Sequence, residues 1–318
     1  MRRRIVSIAV LLALVGVTAA CQARLPEAPG CPVLPDDSIW HTDVSKLPVD
    51  PRSSAYVAAI GASAPLKADF GSGLWDGGPI GIPYAVVDSH TPRVAVSFDY
   101  ADESDAGPYP IPAGVPIEGG PQSDGDRHVL LVDKESCTLY ELYAAFPQDD
   151  GSWHAGSGAI WDLKSNALRP DGWTSADAAG LPILPGLVRY DEVARGSIGH
   201  AIRVTVPRTQ RAAVWPARHV ASSRTDASLP PMGLRLRLKA NVDISGYPPQ
   251  LRAILTALKT YGLIVADNGS PWFMSGVPDE HWDNDMLHLL GQLHGSDFEV
   301  VDTSSLMVDP NSGQARTR

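Results

Sequence analysis

The sequence predicts a mainly β fold, a jelly-roll or β-sandwich-like single domain with a few short helices. Three observations carry this. Glycine and proline are frequent, 29 and 28 in 318 residues, which interrupts long helices. Short runs rich in Val, Leu, Ile and Tyr recur between Gly, Pro, Asp and Ser clusters, the signature of strands. Few segments carry helical spacing. At 44% hydrophobic and 19% charged, the chain is too apolar for disorder and long enough to bury a full core. A net charge of -10 argues against nonspecific nucleic-acid binding, so no nucleic-acid partner is expected.

The chain begins with Arg2, Arg3 and Arg4, then the apolar run Ile5 to Val17, then Thr18, Ala19, Ala20 and Cys21. That order is a signal peptide over residues 1–20: basic, apolar, then small residues at a cleavage site. The apolar run is short for a membrane span. Cys21 after Ala-Ala is similar to a bacterial lipoprotein box, which makes Cys21 the lipidation site and the membrane a partner through the anchor. Residues 21–36 then read as lipidated cysteine and Pro-rich tether, 37–305 as the β-rich globular domain, and 306–318 as a disordered tail. The protein is expected to be exported, either anchored on the outer face of the membrane or extracellular.

Two cysteines remain, Cys31 and Cys137, and an exported protein can oxidise them. A Cys31–Cys137 bridge closes a loop of about 100 residues, worth roughly 4–5 kcal/mol on the chain-entropy model. No Cys/His set has zinc spacing, and neither metal nor cofactor is expected.

Strands are expected at Tyr84–Val87, Arg93–Asp99, His128–Asp133, Thr138–Ala145, Gly186–Tyr190, His200–Val206, Arg235–Asp243, Leu263–Asp267 and Trp272–Met274. Helices are expected at Ser53–Gly61, Pro248–Tyr261 and Trp282–Leu290. In the second, Leu251, Ile254, Leu255 and Leu258 share one face and Gly262 marks the stop. In the third, Asp283 is placed to cap.

Strand alternation sorts the candidate chemistry. His128 shares a face with Leu130 and Val132, His200 with Ile202 and Val204, and Glu141 with Leu139 and Tyr143. Titratable groups on apolar faces are either satisfied core residues or the floor of a groove, and an unpartnered buried carboxylate is expensive. Arg235, Arg237 and Lys239 project from one face of RLRLKANVD, as a protected edge or as a cationic stripe for acidic groups. Gly156–Tyr190 reads as a long structured loop, with Trp161 and Trp173 among Asp162, Arg169, Asp171 and Asp177. Flat apolar rings beside hydroxyl-binding polar groups suit a sugar. In VWPARH, Trp215, Arg218 and His219 place a cation and a titratable base together.

The stretches PVDPRSSAYVAAIG, SFDYADESDAGPYPIP, PIEGG, GDRHVLLVD, GWTSADAAGLPILPGLVRYDEV, VWPARH and IVADNGSPWFMSG, spread over residues 38–302, resemble those of a widespread group of secreted bacterial proteins, hypothetical lipoproteins of unassigned activity. The resemblance implies a single exported module and carries over no catalytic residue.

The nucleotide-binding, zinc-protease and serine-hydrolase motifs are missing from the sequence. The expected function is a carbohydrate-active enzyme acting on a polysaccharide or cell-envelope glycan by acid/base catalysis, a glycoside hydrolase before a polysaccharide lyase. The alternative is a noncatalytic glycan- or envelope-binding lipoprotein. For catalysis the candidates are Glu141 and Asp162, with Glu118, Asp171 and Asp177 in reserve and His128, His200 and His219 moving protons. For substrate binding they are Trp161, Trp173, Arg169, Asp171, Asp177, Arg218, Arg235, Arg237 and Lys239. A monomer is expected.

Overall fold

The computed structural model describes residues 23–316. The expected signal peptide and Cys21 lie outside the described residues. Strands account for 26% of the structure and helices for 17%, in several sheets with no barrel, so the mainly β reading holds. The largest sheet has six strands in the order Lys67–Asp69, Phe273–Ser275, Ile202–Val206, Leu263–Asn268, Arg235–Leu238 and Phe298–Val300. A four-stranded sheet runs Ser157–Asp162, Thr138–Tyr143, Val129–Asp133 and Tyr84–Val87. Three smaller sheets decorate these.

The four-stranded sheet is covered on both faces. Along Val129–Asp133, Leu130 and Val132 join the main core with Ile202, Val204, Leu236 and Leu263. Val129 and Leu131 point the other way, into a second cluster with Tyr109, Ile111 and Leu142. Every residue of that strand is therefore buried, as a near-continuous apolar run requires. Pro249–Thr260 forms the long helix, burying Leu251, Ile254, Leu255 and Leu258 as its spacing predicts. Ser53–Ile60 is helical, and Asp283 caps Asn284–His288 by accepting from the Met286 amide.

Several expectations are corrected. Residues 23–36 are no free tether: Leu25, Ala28, Cys31 and Val33 are buried in the main core. The Cys31–Cys137 disulfide is present and fixes this segment across 106 residues. Residues 306–316 are ordered as well. Leu306 and Ala315 are buried, and Asp37 accepts from the side chains of both Asn166 and Gln314. Both ends of the described residues thus wrap the body because each supplies apolar side chains that the core buries. The segment expected to be a long loop after Gly156 opens with the strand Ser157–Asp162. Gly186–Tyr190 is no strand; it joins a short 3-10 turn to the helix Tyr190–Ala194. Arg235–Leu238 is buried on both faces, and the strand stops there rather than running to Asp243.

Candidate functional site

Arg203 organises the site. It lies on the Ile202–Val206 strand and is 4% exposed. A guanidinium this buried needs acceptors for all its donors. Nε donates to Asp177 Oδ2 at 2.7 Å and Nη2 to Asp177 Oδ1 at 2.8 Å. Nη1 donates to Ser275 Oγ at 2.6 Å, and Nη2 also approaches Asp267 Oδ2 at 3.4 Å. Asp177 comes from the SADAAG turn, where its amide donates to Ser175 Oγ at 2.9 Å. Asp267 comes from the neighbouring strand. A bulge between Val204 and Thr205 sets Asp267, rather than Ala266, opposite Thr205. Bulges re-aim side chains in this way.

Asp177 and Asp267 line a cleft of about 490 Å³ together with Glu103, Asp126, His219 and Tyr143. Burial first, and the Asp177 charge second, push the Asp267 carboxyl up to about 7, against the pull of Arg203. Asp126 is exposed to the cleft and adds to the upward push. Its loop is held by the adjacent Arg127, which is buried in a left-handed conformation and donates to the carbonyls of Ala145, Pro121 and Ser123. His219 Nδ1 lies 2.8 Å from the Ala178 carbonyl and must carry the proton there. Its Nε2 faces Glu103 Oε2 at 3.9 Å. Glu103 is fixed in turn by the Thr174 amide at 2.9 Å.

Glu118 lies next to Asp126, with the buried His128 behind it. His128 Nδ1 is 2.6 Å from Glu118 Oε2, and Nε2 is 3.0 Å from the Ala176 carbonyl. Both ring nitrogens face oxygens that accept, which requires the imidazolium form. Burial alone would lower the His128 pKa; the charge and hydrogen bond of Glu118 outweigh it and raise it to about 9. For Glu118 burial pushes upward, but His128 wins and holds the carboxyl below its usual value. Ligand atoms of Glu118, Asp126 and His128 lie within 4.8 Å of one another. Among the described residues these three form the cluster that offers cation ligands, although His128 would first have to give up the proton directed at Glu118.

Glu118 also lines a second, larger cleft of about 830 Å³, with Asp69, Trp75 and Phe273. Since Asp126 belongs to the first cleft and Glu118 to the second, the two adjoin at this pair. Withdrawal from water inside the second cleft, then the Glu118 charge, raises the Asp69 carboxyl.

The structure brings Asp177, His219 and Glu118 into the lining of the clefts, with His128 buried behind Glu118, and places the remaining sequence candidates elsewhere. Glu141 is fully buried in the core, accepting from the Trp161 indole at 3.1 Å and the amides of Ile183 and Leu184 at 2.9 Å. Asp162 is exposed at its strand end and accepts from the Lys164 amide. His200 is a core histidine on Glu192 at 3.0 Å. Trp161 is buried, and Arg169 sits over both it and Trp173 while donating to Asp105 and the Glu103 carbonyl. Arg169 therefore braces the Glu103 loop from behind. Arg218 donates to the carbonyls of Arg169 and Pro310, with the exposed Asp171 3.9 Å away. Arg235, Arg237 and Lys239 form no open stripe. Arg235 donates to Tyr261 and Ile39 carbonyls, Arg237 to those of Val44 and Leu47, and Lys239 to that of Ser296.

Asp267, Asp126, Glu103 and Asp69 are the functional candidates that sequence reasoning missed. The available signals were slight: Asp267 ends the apolar run LIVA and precedes Asn-Gly, and Asp126 stands two residues before His128.

Comparison with protein-family models, with curated proteins and with solved structures finds no match to this chain. Its fold and clefts define a β-rich single-domain protein with a groove lined by carboxyl groups.

Proposed function

We propose that this protein is an exported glycan hydrolase that works by acid/base catalysis at the Asp267 cleft. The observation that carries the reading is one open cleft holding a carboxyl raised to about 7, Asp267, beside a second exposed carboxyl group, Asp126. Glycoside cleavage needs such a division: one group that keeps its proton, one that gives its electrons. Asp267 protonates the leaving oxygen as the C–O bond breaks. Asp126 takes the proton from the attacking water, or bonds the anomeric carbon before water does. Asp177 acts as a positioning residue, since Arg203 occupies both its oxygens. Tyr100 and Tyr143 offer ring faces for sugars. Elimination from a uronate polymer is less well supported, because the arginines suited to neutralise the uronate are committed to backbone carbonyls. Export and anchoring at Cys21 rest on the N-terminal sequence.

The test uses the mature chain on neutral, amine-bearing and acidic polysaccharides, following new reducing ends and the absorbance of unsaturated uronate together. Reducing ends without that absorbance are expected, with D267N and D126N each lowering the rate at least a hundredfold. Retention of a polysaccharide without cleavage would replace the reading with that of a glycan-binding lipoprotein.

A further inference from the structure

We propose that the larger cleft continues the substrate groove and that the polymer filling it bears no acid groups, with amine-bearing sugars preferred over neutral ones. This rests on the glycan reading of the Asp267 cleft and names the substrate class.

The first argument is the Leu74–Pro79 hairpin at the cleft edge. Trp75 is 79% exposed and Leu74 71%, the two most exposed large hydrophobic residues among those described. Asp76 and Gly77 both have positive φ, the turn that an Asp-Gly hairpin favours. Trp75 pairs across the hairpin with Gly78, so no cross-strand side chain covers its ring. Gly78 packs so closely on the backbone of Gly119 that a Cβ would collide with it. Gly119 follows Glu118 in the chain. The hairpin is thus fixed to the segment that carries Glu118, and Trp75 is held out as a flat apolar platform. A sugar ring presents its C–H face to such a platform.

The second argument is charge. Asp69 and Glu118 line the larger cleft, and Glu103, Asp126, Asp177 and Asp267 the smaller. Among the described lining residues of both, Lys67 is the one lysine and there is no arginine. Arg203, behind them, is already bound to Asp177 and Ser275. A uronate or sulfated chain would bring a carboxylate or sulfate to each subsite, against six lining carboxyl groups and with Lys67, set over the Phe273 ring, as the one lysine or arginine to receive them. An amine-bearing chain meets Asp69 in the larger cleft and Glu103 and Asp126 in the smaller, apart from the carboxylates already paired to Arg203 and His128. Third, the clefts adjoin at Glu118 and Asp126, so one extended chain can occupy both.

The test measures binding of three hexasaccharides, of glucosamine, N-acetylglucosamine and galacturonate, to the mature chain by titration calorimetry. The glucosamine hexamer is expected to bind at least tenfold tighter than the galacturonate hexamer, with the acetylated hexamer between, and to weaken as salt is added. W75A should lose at least tenfold for the glucosamine hexamer without a change in melting temperature. D69N should narrow the preference over galacturonate about threefold. Equal or tighter galacturonate binding, no binding of any hexamer, or an indifferent W75A would overturn the proposal. Tight amine-dependent binding without any cleavage would sink the hydrolase reading and leave this one standing. Cleavage of a polyuronate would do the reverse.

Discussion

Arg203 grips Asp177 with two parallel hydrogen bonds, Nε to Oδ2 at 2.7 Å and Nη2 to Oδ1 at 2.8 Å, where both side chains are almost wholly buried. Such a fork is geometrically specific, and its worth lies in what happens when one half is removed. R203M leaves the Asp177 carboxylate buried without its partner and should lower stability by about 3–5 kcal/mol. The double variant R203M/D177L removes both charges and should recover part of that loss. Urea unfolding checks both. A double variant as unstable as the sum of the two single variants would show that the pair is not coupled.

Asp267 should make the native state acid-favouring over one window. Its carboxyl is raised to about 7 in the fold, facing Asp177 and Asp126 as well as Arg203. An unfolded aspartate titrates near 3.9. Between these values the native state holds a proton that the unfolded chain has released, so stability falls as pH rises from about 4 to about 7. D267N removes that contribution. The stability difference between wild type and D267N should therefore decline across this window, while other groups cancel in the difference. A flat difference would show that Asp267 titrates normally, and the acid role assigned to it would go with it.

Glu118 and His128 bound stability from both sides. The His128 pKa is raised to about 9, so its contribution is complete below about 6.5, the unfolded value, and is lost as pH climbs through 9. Glu118 is shifted down, so its contribution is complete above about 4.3 and is lost as pH falls below that. Between these limits both contributions are complete, and the decline set by Asp267 is superimposed on them. H128N should remove the alkaline decline and E118Q the acid one, relative to wild type. If H128N melts with the same alkaline slope as wild type, the ion pair is not what stabilises this region.

Local patterns were legible wherever a short stretch of chain decides its own structure. Leu251, Ile254, Leu255 and Leu258 set the helix face, and the run VLLV set a buried strand. The disulfide followed from the two cysteines left once Cys21 is set aside, in a chain expected to be exported. What alternation cannot report is which distant segment covers a face. Arg235 and Arg237 alternate as a surface stripe would, yet residues 39–47 lie over them and supply the carbonyls they bind. The site divides along the same line. His128 stood out because it interrupts an apolar strand face, Asp177 because it lies in the SADAAG turn of the Trp-rich segment, and His219 because it follows Trp215 and Arg218, while Glu118 was a reserve carboxylate. Asp267 became a candidate only through the bulge beside Val204 and the closeness of Asp177, ninety residues earlier. Both facts belong to the tertiary structure.

Glu141 and Asp126 separate a structural carboxyl from a reactive one. Glu141 interrupts an apolar strand face and so attracts suspicion from sequence, but the fold closes it off from both clefts and aims three N–H groups at it. Burial pushes its carboxyl up to about 7, and the amides of Leu184 and Ile183 pull the other way. In E141Q an amide N–H₂ would have to face those donors, leaving buried donors unmatched at a loss of about 1–3 kcal/mol. Its melting temperature should fall, while kcat and KM of the folded fraction stay at wild-type values below the melt. D126N should do the opposite, because Asp126 is exposed and holds no core group in place. Its melting temperature should match wild type while kcat drops at least a hundredfold. If E141Q loses kcat at wild-type stability, the reacting carboxyl lies in the core strand after all, and the Asp267 cleft is not where cleavage occurs.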